Sequence, residues 1–271
     1  MSYTPIVPAS GYAGWKILSR TLDTQKTAFA NSADVKRDEE YFREKIGSVT
    51  SAEELVSDRR LLKVALGAFG LENDINNKFF IRKVLEEGTL DSKSFANKLA
   101  DKTYLRLSEA FGFGDYTTPL SQQEGFADTI LAQYESRSFE AAVGDSDENM
   151  RLALSMQREL PELAAKSTSN DAKWYTVIGN KALSTVMRSA LALPSSVGAL
   201  DVDRQLEIYK DKAERVFGSS DFSTFSDPDQ VEKAVRLFLV RSQLNEGSSM
   251  NSQSVALTLL QSGQSNLFRR V

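Results

Sequence analysis

Apolar residues recur along the chain with the period of an α-helix. Between residues 202 and 216 they follow intervals of three and four, which gathers them on one helix face: Val202, Leu206, Tyr209, Ala213 and Val216. Two further sets have related spacing: Leu55, Leu62, Leu66 and Phe69, then Val231, Val235 and Phe238. Strand-like alternation is scarce. The pattern therefore predicts an all-α fold.

Polar signals mark where several of these helices begin. The stretches "TSAEE" at 50–54, "GDSDENM" at 144–150 and "SDPDQVE" at 226–232 place Ser or Asp ahead of acids in a first helical turn. Together with the periodicity, they predict helices near residues 12–30, 34–46, 52–69, 74–87, 92–111, 121–143, 146–166, 171–192, 201–217, 228–244 and 253–262.

The order of segments suggests a weak internal repeat. The runs that start at Arg59 and at Asn180 both pass from an apolar helix through a turn and an Asp-led polar stretch into an amphipathic helix. Convergence on one supersecondary pattern explains this similarity as well as duplication does. We predict a multi-helix bundle of two loosely related helical modules with mobile terminal segments. The predicted parts are a flexible N-terminus (1–11), an N-terminal module (12–120), a C-terminal module (121–244), and a linker with an amphipathic segment (245–271).

Composition narrows the chemistry. The 271 residues include 33 Lys+Arg and 37 Asp+Glu, so no overall positive field favours nucleic acid. Cysteine and histidine are both absent, which excludes Ser-His-Asp, Cys-His and thiolate-zinc sites. We expect no cofactor and no metal. No apolar run approaches 20 residues and no leader pattern precedes the first helix, so we expect neither membrane insertion nor a cleaved signal peptide.

The stretch "GAFGLENDINNKFF" at 67–80 has the glycines and polar residues of a ligand loop. A dinucleotide loop would follow a strand, but here the glycines follow an apolar helix. A calcium loop that started at Asp74 would need Gly and Glu where Phe79 and Leu85 stand. Neither ligand loop is favoured.

The alternative for this stretch is a joint between two helices. It predicts a left-handed conformation for Gly70 and an Asn73 or Asp74 cap on the next helix. It also predicts buried side chains for Leu66, Phe69 and Leu71.

Carboxylates are the remaining candidates for acid–base chemistry. The pairs Glu53/Glu54 and Glu86/Glu87 and the run at 38–40 all lie among Lys and Arg residues. Such mixed runs are usually solvated helix faces. The basic runs "DRRLLK" and "LFRRV" are too short to favour a nucleic-acid site. We predict no catalytic residue.

Both ends of the chain have apolar stripes suited to a partner. In the first helix, four residues at coiled-coil spacing form a narrow seam: Trp15, Leu18, Leu22 and Phe29. A second stripe, Val255, Leu259 and Leu260, follows a linker rich in Ser and Asn. We predict that these residues bind a partner. Packing on the protein's own body is the alternative at each end.

Several runs resemble a known family. They are "SAEELVSDRRLLKVALGAFGLENDINNKFFIRKVLEEG", "DSKSFANKLADKTYLRLSEAFGF", "YESRSFEAAVG" and "RLALSMQRELPEL", and they resemble the domain of unknown function 1217 family of alphaproteobacteria. The similarity extends from about Ser10 to Leu244 and is looser after Asn180. Members of this family are commonly encoded among flagellar genes, and the family supplies no catalytic residues.

The resemblance implies a flagellar setting. Flagellar axial and rod-associated proteins are typically exported unfolded, without a cleaved leader and with little cysteine. We therefore expect a non-enzymatic structural or assembly protein of the flagellum or periplasm. Its expected partners are other flagellar proteins, which it contacts through its helices. Self-association is a further possibility. The alternative is a cytoplasmic adaptor or regulator of flagellar export or gene expression.

Overall fold

The computed structural model describes residues 3–244, and all regular structure within that range is helical. The α-helices are α1 (Gly11–Ala30), α2 (Ala33–Lys45), α3 (Ala52–Ser57), α4 (Arg59–Phe69), α5 (Lys78–Glu86), α6 (Phe95–Lys98), α7 (Thr103–Phe111), α8 (Phe126–Gly144), α9 (Glu148–Ala164), α10 (Asn170–Ile178), α11 (Lys181–Ala190), α12 (Val202–Phe217) and α13 (228–244). Short 3-10 turns occupy Ile46–Ser48, Glu72–Asp74, Leu120–Gln122, Ser195–Ala199 and Phe222–Ser226. The all-α prediction is confirmed.

Helix α8 is central to the packing. It contacts α4, α2, α1 and α9, while α9 also packs against α11 and the 3-10 turn Phe222–Ser226. The approach of α4 to α8 is close, because a Cβ atom added at Gly67 would lie 2.9 Å from the Tyr134 ring. One buried apolar cluster runs from Trp15 to Leu239 and so includes residues of both predicted modules. The division into modules stays a prediction.

Several predicted helices are interrupted. The predicted helix 52–69 is two helices, because Asp58 adopts an extended conformation and its side chain accepts the backbone N–H groups of Arg60 and Leu61. The predicted helix 171–192 breaks at Asn180, whose side-chain oxygen accepts Leu183 N–H at 3.0 Å. The predicted helix 92–111 likewise separates into α6 and α7.

The three helix starts predicted from capping stretches are confirmed. Ser51 accepts Glu54 N–H at 3.2 Å, Asp147 accepts Asn149 N–H at 2.9 Å, and Asp227 accepts Asp229 N–H at 2.9 Å. Each side chain satisfies a backbone donor that has no partner inside the helix. Most of the predicted apolar faces are buried. Val202 is an exception, because it begins α12 beyond the core and is 46% exposed.

The helix joint at 67–80 is largely as predicted. Gly70 ends α4 with φ 74° and ψ 30°, and Leu71 N–H donates to Leu66 C=O at 2.9 Å, which is a Schellman-type closure. Leu66, Phe69 and Leu71 are buried.

The predicted cap on the next helix was wrong. Asn73 and Asp74 belong to a 3-10 turn, and α5 begins later, at Lys78. The Asp74 carboxylate instead accepts the Tyr104 hydroxyl at 2.7 Å and the Asn77 amide at 2.6 Å. A contact distant in sequence therefore uses the side chain that was expected to cap α5.

No helix within the described range is both long and apolar enough to cross a membrane.

We expect Gly70→Ala to lower the free energy of unfolding by about 1 kcal/mol, because a Cβ is disfavoured at this positive φ. Gly47→Ala is the matched control, since Gly47 is not at positive φ and an alanine methyl group there would meet no atom within 4 Å beyond its own stretch of backbone. Urea denaturation of both variants measures the difference. Equal stability changes in the two would contradict the assignment of Gly70 as a left-handed cap.

Candidate functional site

A cleft of about 530 Å³ lies between the α4–α5 joint and helices α7, α8, α9 and α11. This volume is within the range typical of small-molecule sites. Its basic lining residues are Arg106, Arg137, Arg151 and Lys181. Its acidic lining residues are Asp74, Asp101, Glu140, Glu148 and Glu159. Charged side chains of both signs therefore line this cleft.

A buried charge network between α8 and α9 borders the cleft, and its members Arg137, Glu140 and Glu159 line it. Arg158 donates two parallel hydrogen bonds to Glu140, from Nε at 2.7 Å and from Nη2 at 3.0 Å. Glu159 accepts from Arg137 Nη1 and from Arg158 Nη2, each at 3.1 Å. Both glutamates are buried. Such pairing is what allows a charged carboxylate to remain inside a protein.

Glu159 also connects this network to α11. It accepts the Asn180 amide at 3.2 Å and the Ser155 hydroxyl at 3.3 Å. The other atom of the Asn180 amide, Oδ1, caps α11. One carboxylate thus positions α8, α9 and the start of α11 relative to one another.

The network is electrostatically tuned. Burial by itself would raise the pKa of Glu159, but Arg137, Arg158 and Arg106 together hold that pKa below its ordinary value. Burial lowers the pKa of the Arg137 guanidinium, and the nearby positive charges of Arg158 and Arg106 lower it further against the attraction of Glu159. Burial opposes the charge of Arg158 as well, yet hydrogen bonding to Glu140 raises the pKa of that guanidinium. Glu159 is therefore ionised at neutral pH.

The carboxylate pairs considered in the sequence lie away from this cleft. Glu53, Glu54, Glu86 and Glu87 are all exposed, as expected for solvated helix faces. Partial burial raises the pKa values of Glu39 and Glu109, but neither residue lines the cleft. Among residues 3–244, no group of three or more acidic side chains is arranged to hold a metal ion.

The N-terminal apolar seam packs on the protein's own body. Trp15, Leu18 and Phe29 are buried in the core, and Leu22 is half-buried against it. In this structure the seam therefore packs intramolecularly, which is the alternative given above, and its binding to a partner stays a prediction. Val255, Leu259 and Leu260 lie outside the described residues.

Polar contacts fix the same helix at its start. Glu232 of α13 accepts the Trp15 indole N–H at 3.1 Å, the Tyr12 hydroxyl at 2.9 Å and the Lys16 ammonium at 3.0 Å. Further along α1, the buried Gln25 amide binds both backbone groups of Ile6, at 2.7 and 3.2 Å. These contacts hold α1 against α13 and hold the preceding segment against α1.

We expect Glu159→Gln to cost about 3–5 kcal/mol at neutral pH, because it leaves buried arginine charge without its partner. Glu162→Gln on the same helix is the matched control. Glu162 is exposed and lies 3.8 Å from the same Arg158, so its loss should cost less than about 1 kcal/mol. Urea denaturation of both variants gives these values. Similar losses of unfolding free energy in the two variants would show that the buried network contributes no more to stability than an exposed ion pair does.

The same variant predicts a pH dependence. A carboxylate whose folded pKa is depressed stabilises the fold above its unfolded pKa, and that stabilisation is lost as the pH falls through the folded pKa. The ordinary value for Glu159 is 4.5, so the loss should begin near that pH and continue below it. Stability of Glu159→Gln should therefore fall less steeply with acid than that of the wild type. If the unfolding free energies of the variant and the wild type fell in parallel between neutral and acidic pH, Glu159 would make no such pH-dependent contribution.

We expect Glu232→Ala to destabilise α1 by about 1–3 kcal/mol, since it leaves the buried Trp15 N–H without an acceptor. Hydrogen exchange should increase in α1 and remain unchanged in α8. Glu207→Ala, an exposed residue of α12, is the control. Unchanged exchange in α1 would show that apolar packing alone holds this helix.

The architecture is shared with a solved structure. An Agrobacterium tumefaciens protein determined by X-ray crystallography in a structural genomics programme is 29% identical to this chain and superposes with a TM-score of 0.69. The match covers 90% of this chain and 99% of the other. No curated protein matches the chain.

The family is established by sequence. A sequence profile described as "Protein of unknown function (DUF1217)" matches residues 68–231, a range that contains all the residues that line the cleft and form its charge network. The matched range is more than half of the 271 residues. The chain belongs to the DUF1217 family.

Proposed function

We propose that this protein is a flagellum-associated structural or assembly protein that acts through contacts with other flagellar proteins rather than by catalysis. The main support for a non-catalytic role is that the buried carboxylates of the cleft are paired with arginines. Cysteine and histidine are absent from the chain, so acid–base work would fall mainly to carboxylates. Glu140 and Glu159 are instead held by arginines, and the pKa of Glu159 is lowered.

A general acid that works near neutral pH needs a raised pKa. The cleft provides the opposite for Glu159, which favours binding over proton transfer. The flagellar part of the proposal is supported by the sequence runs that resemble a family commonly encoded among flagellar genes. The lack of cysteine fits a protein exported through the flagellar channel.

Exposed apolar side chains on α13 offer a surface for such contacts. Val240 and Leu244 are one turn apart and are 41% and 64% exposed, on a helix whose opposite face is buried through Val235 and Leu239. The chain continues from this helix into the segment with the predicted stripe Val255, Leu259 and Leu260. A partner that binds this end of the protein could therefore contact the exposed residues of α13 and the predicted stripe that follows them along the chain.

The location of the protein tests the proposal. We expect the tagged full-length chain outside the cytoplasm in cells with a working flagellar export gate, and inside the cytoplasm in gate-deficient cells. We also expect a deletion strain to lose motility and to regain it with the wild-type gene. Strict cytoplasmic retention with lost motility would favour the adaptor or regulator. Full motility with an unaltered flagellum would contradict both versions.

The α13 surface has its own test. We expect Val240→Ser with Leu244→Ser to fail to restore motility in the deletion strain. The control pair is Leu200→Ser with Val202→Ser, whose residues are also exposed, at 43% and 46%, but lie at the start of α12. Thermal melting establishes that both double variants are folded. Full rescue by the α13 variant would remove this surface from the proposal.

A further inference from the structure

We propose that the cleft binds a carboxylate group through Arg106 and Lys181, with Arg137 behind them. The proposal concerns the cleft alone and does not depend on the flagellar setting.

The first argument is the state of Arg106, which lies beside the Glu159 network but forms no ion pair with any described residue. Arg106 lies close enough to affect the pKa values of both Glu159 and Arg137, so it belongs to the same electrostatic group. Arg137 pairs with Glu159, and Arg158 pairs with Glu140, Glu159 and Glu162. Arg106 is half-buried and makes no ion pair among the described residues. A guanidinium that is partly removed from water gains from a bound anion that accepts its N–H groups.

The second argument is the presence of unused donors. Arg106 donates one hydrogen bond, from Nη2 to the Thr103 hydroxyl at 3.2 Å. A guanidinium has five N–H donors, so most of those on Arg106 remain available. In the part of the chain that the structure describes, neither Arg106 nor Lys181 has an acidic side chain within ion-pair distance. Both line the cleft. They can therefore bind a ligand without breaking an existing ion pair.

The remaining acids limit the kind of anion. Asp74, Asp101 and Glu148 also line the cleft. Asp74 already accepts the Tyr104 hydroxyl, and Asp101 accepts Thr103 N–H at 2.9 Å. Their negative charges oppose a polyphosphate or a nucleic-acid strand. A carboxylate has less charge and matches the planar fork of an arginine. The carboxylate group can come from a small organic acid or from an acidic side chain of another protein.

The test is a titration of the full-length protein, followed by NMR at the backbone amides of Lys181 and Ala182. The probes are succinate, the peptide acetyl-Gly-Glu-Gly-amide, its Gln counterpart and inorganic phosphate, all at constant ionic strength. We expect saturable shifts with at least one of the two carboxylate probes. Arg106→Gln and Lys181→Gln should each weaken that binding by about tenfold, the loss of one charged hydrogen bond.

Arg20→Gln and Lys98→Gln are the matched controls, because both residues are exposed and neither lines the cleft. The site is supported if the control variants still bind the carboxylate probe and the cleft variants do not. Succinate binding identifies a small acid as the source, whereas binding of the Glu peptide without succinate identifies an acidic side chain. Thermal melting checks that each variant is folded, and the two cleft variants report independently.

Three results would overturn the proposal. The first is the absence of saturable shifts with both carboxylate probes at millimolar concentrations. The second is an equal loss of binding in the control variants, which would indicate general attraction to surface charge. The third is tighter binding of inorganic phosphate than of either carboxylate, which would contradict the ligand class.

Discussion

The buried carboxylate of Glu159 constrains much of this fold. An ionised group in the interior must have its hydrogen-bonding capacity met, and here the partners come from three helices: Arg137 on α8, Ser155 and Arg158 on α9, and Asn180 at the start of α11. Each partner fixes the position of its helix. Asn180 lies at the break between α10 and α11, where its amide N–H donates to Glu159 and its Oδ1 caps α11.

The helix joint at 67–80 borders this network. A Cβ atom added at Gly70 would lie 3.6 Å from Arg137 Nη1, so the end of α4 lies beside the guanidinium that partners Glu159. The close packing of α4 on α8 at Gly67 brings the two elements together. The stretch that resembles a ligand loop in the sequence therefore supports one wall of the cleft, and its glycines serve the packing and the turn.

Periodicity predicted the fold class and most buried faces, because burial on a helix repeats at local intervals. It missed the breaks at Asp58 and Asn180, where a polar side chain inside a helical pattern caps a new helix. The role of Asp74 was also out of reach, since its partner Tyr104 is 30 residues away in sequence. The charge network did leave a signal, because Glu159 stands among buried apolar positions of α9. A charged residue at a core position indicates that it is paired, but a local pattern does not show which helices are neighbours.

The apolar seam of α1 illustrates a different limit. Coiled-coil spacing shows that one side of a helix will be covered, but the same spacing suits a partner and the protein's own core. The deciding contacts are polar and distant in sequence: Glu232 takes three donors from the start of α1, including the indole N–H of the seam residue Trp15. A partner that used the seam would have to break these bonds and replace the core around Trp15 and Leu18. The contact surface proposed on α13 requires no such exchange, because Val240 and Leu244 are exposed and lie outside the core.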